Sequence, residues 1–241
     1  MEANGDESTI DAYQDRFVAY ADILGWSSAT QNGEIKTLVE ALKSIEDYAN
    51  NFSPLVKEAL KKSQGISERL IREHDGIEFS FFSDCFAVSA PASSGQVVFK
   101  ILAFASHELL RKGFLLRGGV AIGSLYHKQR ILFGPALVEA VEIEERDAVV
   151  PRFLCSRQLI QFLDHTDYKN EVVLLDCCGS WVVNISMGSS LAKDELMNLI
   201  REWLDKNETN VAERTAHKWQ YLQRVLPIMY EARTLQNKQI K

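Results

Sequence analysis

Residues 16–26 read RFVAYADILGW, from Arg16 to Trp26. The run is apolar and aromatic enough for a buried strand, yet Asp22 stands near its end. A carboxylate at the end of a buried strand is costly unless a positive group meets it. A second aspartate lies downstream in GIEFSFFSDCFAVSAP, which reads as two short strands, 77–82 and 85–90, joined by a tight turn at Ser83-Asp84. If the first strand and this hairpin are neighbours, Asp22 and Asp84 share one end of a sheet. Two carboxylates placed together repel unless a cation bridges them. Hard divalent ions such as Mg²⁺ or Mn²⁺ take oxygen ligands and commonly keep substrate phosphates in the same shell. A pair of such ions stabilises both the attacking and the leaving oxygens of a phosphoryl transfer.

Around these strands the chain is ordinary in bulk. It has 241 residues, 46% hydrophobic and 25% charged, enough for one large domain or a core with extensions. The net charge of −6 disfavours non-specific binding to nucleic acid or to acidic membranes. No apolar run approaches the roughly 20 residues of a membrane span. The opening MEANGDESTIDAYQD is acidic, unlike a secretory signal, so a cytoplasmic location is expected. Cys85, Cys155, Cys177 and Cys178 form no C-x-x-C pair and read as reduced core residues.

Residues 1–14 are expected to be flexible. Periodic apolar positions (Ile35, Leu38, Leu42, Ile45, Tyr48) predict a helix, and Pro54 is read as opening a second one over about 54–73. A helix over 94–112 follows the hairpin and stops before Gly113. FLLRGGVAIGSL is a strand, with a short strand near 130–133 and a helix from Gly134-Pro135 to about 147. A strand at 151–156, a short helix at 157–164 and a hairpin from EVVLLD and SWVVNI come next. Two C-terminal helices, 189–206 and 209–236, complete the chain, the second placing Trp219, Leu222, Leu226 and Met229 on one face. The class is α+β with a mixed, mainly antiparallel sheet and flanking helices.

These motifs resemble class III nucleotide cyclases. Tyr20, Asp22, Ile23, Gly25 and Trp26 match that family's first strand, with Tyr20 replacing a phenylalanine. FFSDCFAV is similar to the hairpin carrying its second metal aspartate, and LLRGGVAIGSL to a later strand written arginine-x-glycine-hydrophobic-x-x-glycine. Gly134, Pro135, Ala140 and Glu144 resemble the following helix. The likeness covers about residues 16–165 in order, and implies a ferredoxin-like or palm-like catalytic domain over 15–188, a helical insertion at about 33–73 and a helical extension over 189–241.

The departures concern the base. The positions that read a purine in that family are here Ser80 and Ile131, and the helix positions that steady ribose and phosphate are Val138 and Glu142. The short stand-alone form is most similar to the pyrimidine cyclases of bacterial anti-phage Pycsar systems, which make cUMP or cCMP from UTP or CTP for a separate effector. The resemblance implies two Mg²⁺ or Mn²⁺ ions per site on Asp22, Asp84 and the Ile23 carbonyl, and a homodimer with sites between protomers. Arg117 and Arg152 are candidate catalytic cations; Lys128 and Arg130 are candidates for the triphosphate, beside Ser80 and Ile131 at the base. Ser80 can donate or accept, so UTP is favoured over CTP only because no acidic side chain stands at either base position. The alternatives are a catalytically silent cyclase-like scaffold and a purine cyclase. A diguanylate cyclase is disfavoured by the absence of its Gly-Gly-Asp-Glu turn.

Overall fold

The computed structural model describes residues 12–32, 35–62, 76–187, 193–207 and 213–239. It contains an eight-stranded sheet: β1 (Gln14–Leu24), β2 (Glu78–Phe82), β3 (Cys85–Pro91), β4 (Leu115–Lys128), β5 (Ile131–Phe133), β6 (Phe153–Cys155), β7 (Val173–Leu175) and β8 (Trp181–Val183). The strand order is β2-β3-β1-β4-β6-β8-β7, with β5 paired to β4. Only β4 and β6 run parallel; the other pairs are antiparallel, so the α+β reading with a mixed, mainly antiparallel sheet holds.

Strand β1 divides the molecule because its side chains alternate between two packed faces. Phe17, Ala19, Ala21 and Ile23 enter the main core. There they meet α2 (Ile35–Lys62), α3 (Gln96–Arg111), α7 (Lys193–Asn207) and α8 (Glu213–Gln239), which contribute Ile45, Phe99, Ile200 and Trp219. Trp203 and Trp219 stack with ring centroids 4.0 Å apart and tie α7 to α8. The two C-terminal helices therefore share the core of the sheet. Short helices α1 (Trp26–Gln31), α5 (Arg157–Leu163) and α6 (Lys169–Val172) fill connections.

The opposite face carries Val18, Tyr20 and Asp22. Helix α4 (Pro135–Asp147) closes it with Ala136 and Ala140 against Val18, Ala121 and Leu125. This contact is backbone-close. A Cβ at Gly119 would stand 2.1 Å from the Ala140 carbonyl oxygen, and one at Gly118 would stand 2.1 Å from that of Tyr20. Neither neighbour is a flexible side-chain tip, so the strain cannot be relieved locally. Gly119→Ala is expected to destabilise the fold by about 3 kcal/mol, the upper end of overpacking costs. A wild-type denaturation midpoint for that variant would contradict the packing.

Several sequence expectations change. Instead of stopping before Pro54, α2 runs through it to Lys62, although a proline removes one helical donor. Cys177 and Cys178 are exposed in the β7–β8 turn rather than buried. The helix expected beyond Lys62, residues 1–11 of the N-terminal segment and the starts of the C-terminal helices at 189–192 and 209–212 lie outside the described residues. Among the described residues no helix is long and apolar enough to cross a membrane.

Candidate active site

The β1–β3 and β1–β4 registers place Asp22 opposite Cys85 on one side and Arg117 on the other. The β2–β3 hairpin turns at Ser83, whose φ of 55° bends the chain tightly and leaves Asp84 beside the end of β1. The Ile23 N–H donates to the Asp84 carbonyl at 2.9 Å. In an antiparallel strand the N–H and C=O of one residue face the same neighbour, so the Ile23 carbonyl also faces this turn. Cys85 Sγ lies 3.9 Å from Asp22 Oδ1 and 3.7 Å from Asp84 Oδ1. The expected juxtaposition of Asp22, Ile23 and Asp84 is thus realised within one chain.

The positive group that meets Asp22 is Arg117. Its Nε donates to Asp22 Oδ2 at 2.8 Å, and its other arm reaches Glu144 of α4 at 2.9 Å. Glu144 is buried, and burial raises its pKa against the pull of Arg117. Lys218 of α8 is within electrostatic reach of Arg117 and Asp22; burial, reinforced by Arg117, lowers its pKa. Three carboxylates therefore face two cations, leaving the strand end net negative. Burial, assisted by the Asp22 and Asp84 carboxylates, pushes the Cys85 thiol up to about 11, so sulfur stays protonated at neutral pH. What remains for a cation is a set of hard oxygens, which fits Mg²⁺ or Mn²⁺ better than a thiophilic metal. Among the described residues no ready-made cluster of three or more His, Cys, Asp and Glu side chains is formed. A divalent ion here would rest on two carboxylates and a backbone carbonyl.

The other candidates fall elsewhere. Lys128 and Ile131 pair across the β4–β5 turn, and Arg130 is exposed within it. Most of the 14 residues of β4 separate this turn from Arg117. Ile131 is 59% exposed on its own chain. Ser80 is buried and bonded to that same turn, with Oγ 3.0 Å from His127 Nε2 and 3.2 Å from the Gln129 carbonyl. One chain therefore does not bring Ile131, Lys128 and Arg130 to the aspartates. Val138 and Glu142 are exposed on the outer surface of α4.

Arg152 is engaged by a different carboxylate. It pairs with the buried Asp176 at 2.5 Å and donates to the Asp147 carbonyl at 3.1 Å. Burial works against Asp176, but the N–H groups of Ser180 and Cys178 and the Arg152 guanidinium outweigh it and hold the carboxyl low. Arg152 thus ties the start of β6 to the β7–β8 hairpin. The sequence signal for this pairing was a charge at each of two strand ends, PRF and LLD. Glu144 and Lys218 are the site residues whose parts sequence reading did not assign.

No protein-family model matches the chain, and no curated protein matches it. Two solved structures, each described as a bacterial light-regulated adenylyl cyclase, are similar in outline. One is 15% identical, with a TM-score of 0.44 over 80% of this chain and 99% of that one. The other is 14% identical, with a TM-score of 0.45 over 81% of this chain and 59% of that one.

Proposed function

We propose that this protein is a metal-dependent nucleotide cyclase that converts a pyrimidine nucleoside triphosphate, UTP or CTP, to its 3′,5′-cyclic monophosphate and pyrophosphate. The observation that carries the reading is the meeting of Asp22 and Asp84 on Cys85 at one sheet end, with Arg117 and Lys218 as the nearby cations. Asp22, Asp84 and the Ile23 carbonyl would hold Mg²⁺ or Mn²⁺, which would supply acidity to the ribose 3′-hydroxyl and positive charge to the triphosphate. The 3′-oxygen attacks the α-phosphorus, its proton leaves to solvent, and pyrophosphate departs. Arg117 and Lys218 offset charge that grows on the phosphates. The Asp22–Arg117–Glu144 chain fixes the Asp22 carboxylate in orientation, so less ordering is left to substrate binding.

The active unit in this reading is a homodimer. The β4–β5 turn and the aspartate pair occupy different parts of one chain, and a two-fold partner can set its turn against them. The turn is suited to contact: Ile131 and Phe133 of β5 are exposed, as is Tyr13, whose ring meets Phe133 edge-on. A pyrimidine is the reading favoured by the apolar Ile131, which offers a purine edge no hydrogen bond. Production of a second messenger for a separate effector in anti-phage defence belongs to the same proposal, as does a cytoplasmic setting. Purified protein given Mn²⁺ and an equal mixture of the four NTPs, followed by product chromatography, is expected to yield a cyclic pyrimidine nucleotide. Release of no cyclic product from any NTP would leave the silent-scaffold reading; cAMP or cGMP alone would return the chain to purine chemistry.

A further inference from the structure

The β7–β8 turn presents two neighbouring cysteines to solvent, Cys177 and Cys178, with their sulfurs 3.9 Å apart. Cysteine is among the most buried residue types, and a solvated turn ordinarily takes Gly, Asn, Asp or Ser. Sulfur is not what closes this turn. Asp176 closes it: the Gly179 N–H donates to the Asp176 carbonyl at 3.0 Å, and the Asp176 N–H donates to the Ser180 carbonyl at 2.9 Å. The N–H groups of Cys178 and Ser180 donate to Asp176 Oδ1 at 2.8 and 3.0 Å. The other carboxylate oxygen serves the core side, accepting from Arg152 at 2.5 Å and from the Tyr221 hydroxyl at 3.5 Å. The remaining two cysteines differ in setting. Burial raises the pKa of both Cys85 and Cys155, which keeps them as thiols. At Cys177 the hydrogen bond to Cys178 raises the pKa, so the exposed pair gives up one proton before the other, and one thiolate is enough to begin an oxidation.

We infer that Cys177 and Cys178 are a modification site: a dithiol that a hydroperoxide oxidises to a vicinal disulfide and that a small thiol reduces again. One thiolate attacks the terminal peroxide oxygen; an S–O bond forms, the O–O bond breaks, and the departing oxygen takes up a proton to leave as an alcohol, or as water from hydrogen peroxide. The second sulfur attacks the resulting sulfenic acid; the S–S bond forms, the S–O bond breaks, and water leaves with the second thiol's proton. The two thiols lose two electrons and the hydroperoxide gains them. Two molecules of a small thiol reverse the step and become a disulfide themselves. Reversal is favoured by the chain itself: the Cα atoms of adjacent residues stand about 3.8 Å apart across a trans peptide, below the roughly 4.4–6.8 Å that disulfides ordinarily span, and a bond closed under that constraint is readily reduced. Closing it turns the peptide between the two cysteines, and that peptide carries the Cys178 N–H. Oxidation therefore withdraws a donor from Asp176, the carboxylate on which the turn, Arg152 and Tyr221 all converge.

The test titrates the full-length protein with hydrogen peroxide, alkylates the remaining thiols and maps the peptides by mass. The expected result is that the peptide carrying Cys177 and Cys178 becomes two hydrogens lighter while Cys85 and Cys155 are still alkylated, and that dithiothreitol restores both thiols. Cys177→Ser and Cys178→Ser should each stop the reaction at a single sulfenic acid, captured by dimedone. Amide exchange read on the same samples should quicken at Ser180 by about tenfold on oxidation, the scale of one hydrogen bond to a charged group. Three outcomes overturn the inference: sulfinic acid on one cysteine beside a free neighbour, a disulfide between two chains in place of the internal one, or loss of the Cys85 or Cys155 thiol first. A vicinal disulfide with unchanged exchange at Ser180 overturns the link to Asp176. Mass and exchange are read without any nucleotide, so this result stands or falls apart from the cyclase reading.

Discussion

Asp22→Ala and Asp84→Ala are each expected to reduce cyclisation by at least about a thousandfold, the scale lost when a metal-holding carboxylate is removed from a phosphoryl-transfer site. The two variants should part company in stability. Asp84 stands in a turn, so trimming it relieves repulsion and leaves the fold at or slightly above wild-type stability in metal-free buffer. Asp22 neutralises Arg117 at 2.8 Å, and its loss leaves that guanidinium to Glu144 alone. The side chains of this pair are 27% and 16% exposed, so screening keeps the cost near 1 kcal/mol rather than the several expected of a fully buried pair. Pyrophosphate release and thermal denaturation of the two variants measure both effects. Near-normal turnover in either variant would remove the two-aspartate site.

The second large effect is recovery of activity from two dead proteins. Asp22→Ala abolishes the aspartate half of a site, and Ile131→Glu places a negative charge on the exposed turn proposed to meet the substrate. Each alone is expected to be inactive as a homodimer. Mixed in equal amounts and allowed to exchange, half of the dimers carry one site with both halves intact, which restores about one quarter of wild-type activity. Sedimentation of each variant establishes that the dimer persists. Exchange between dimeric variants without any recovery would mean that each chain builds its site alone.

Much of the fold was legible because its signals are local. The apolar run of β1, the Ser83-Asp84 turn and the Gly134-Pro135 helix start each declare themselves within a few residues. The meeting of Asp22 with Asp84 required only that two strands be neighbours. The electrostatic surroundings were less legible. Glu144 reaches Arg117 because of the rotation of α4 on the sheet, and Lys218 arrives on a helix near the end of the chain. Arg152 illustrates the limit from the other side: its charge is visible in sequence, while the partner that absorbs it, Asp176, becomes visible only when the β7–β8 hairpin lies beside β6. Ser80 was legible as a polar residue at a marked position, but its hydrogen bonding depends on Arg16, Ser89 and His127, drawn from three other strands.

The bare backbone at Gly119 has a consequence for tolerance. Side chains can absorb a shift of a helix by changing rotamer, whereas two backbones in direct contact have no such slack. Helix α4 is therefore seated on the sheet like a gauge block, and Glu144 inherits that seating when it reaches Arg117. Charge balance at the aspartates is in this sense a machined dimension: substitutions elsewhere on α4 can be absorbed as long as the helix stays down, and any that lift it detune the site even though they touch neither aspartate.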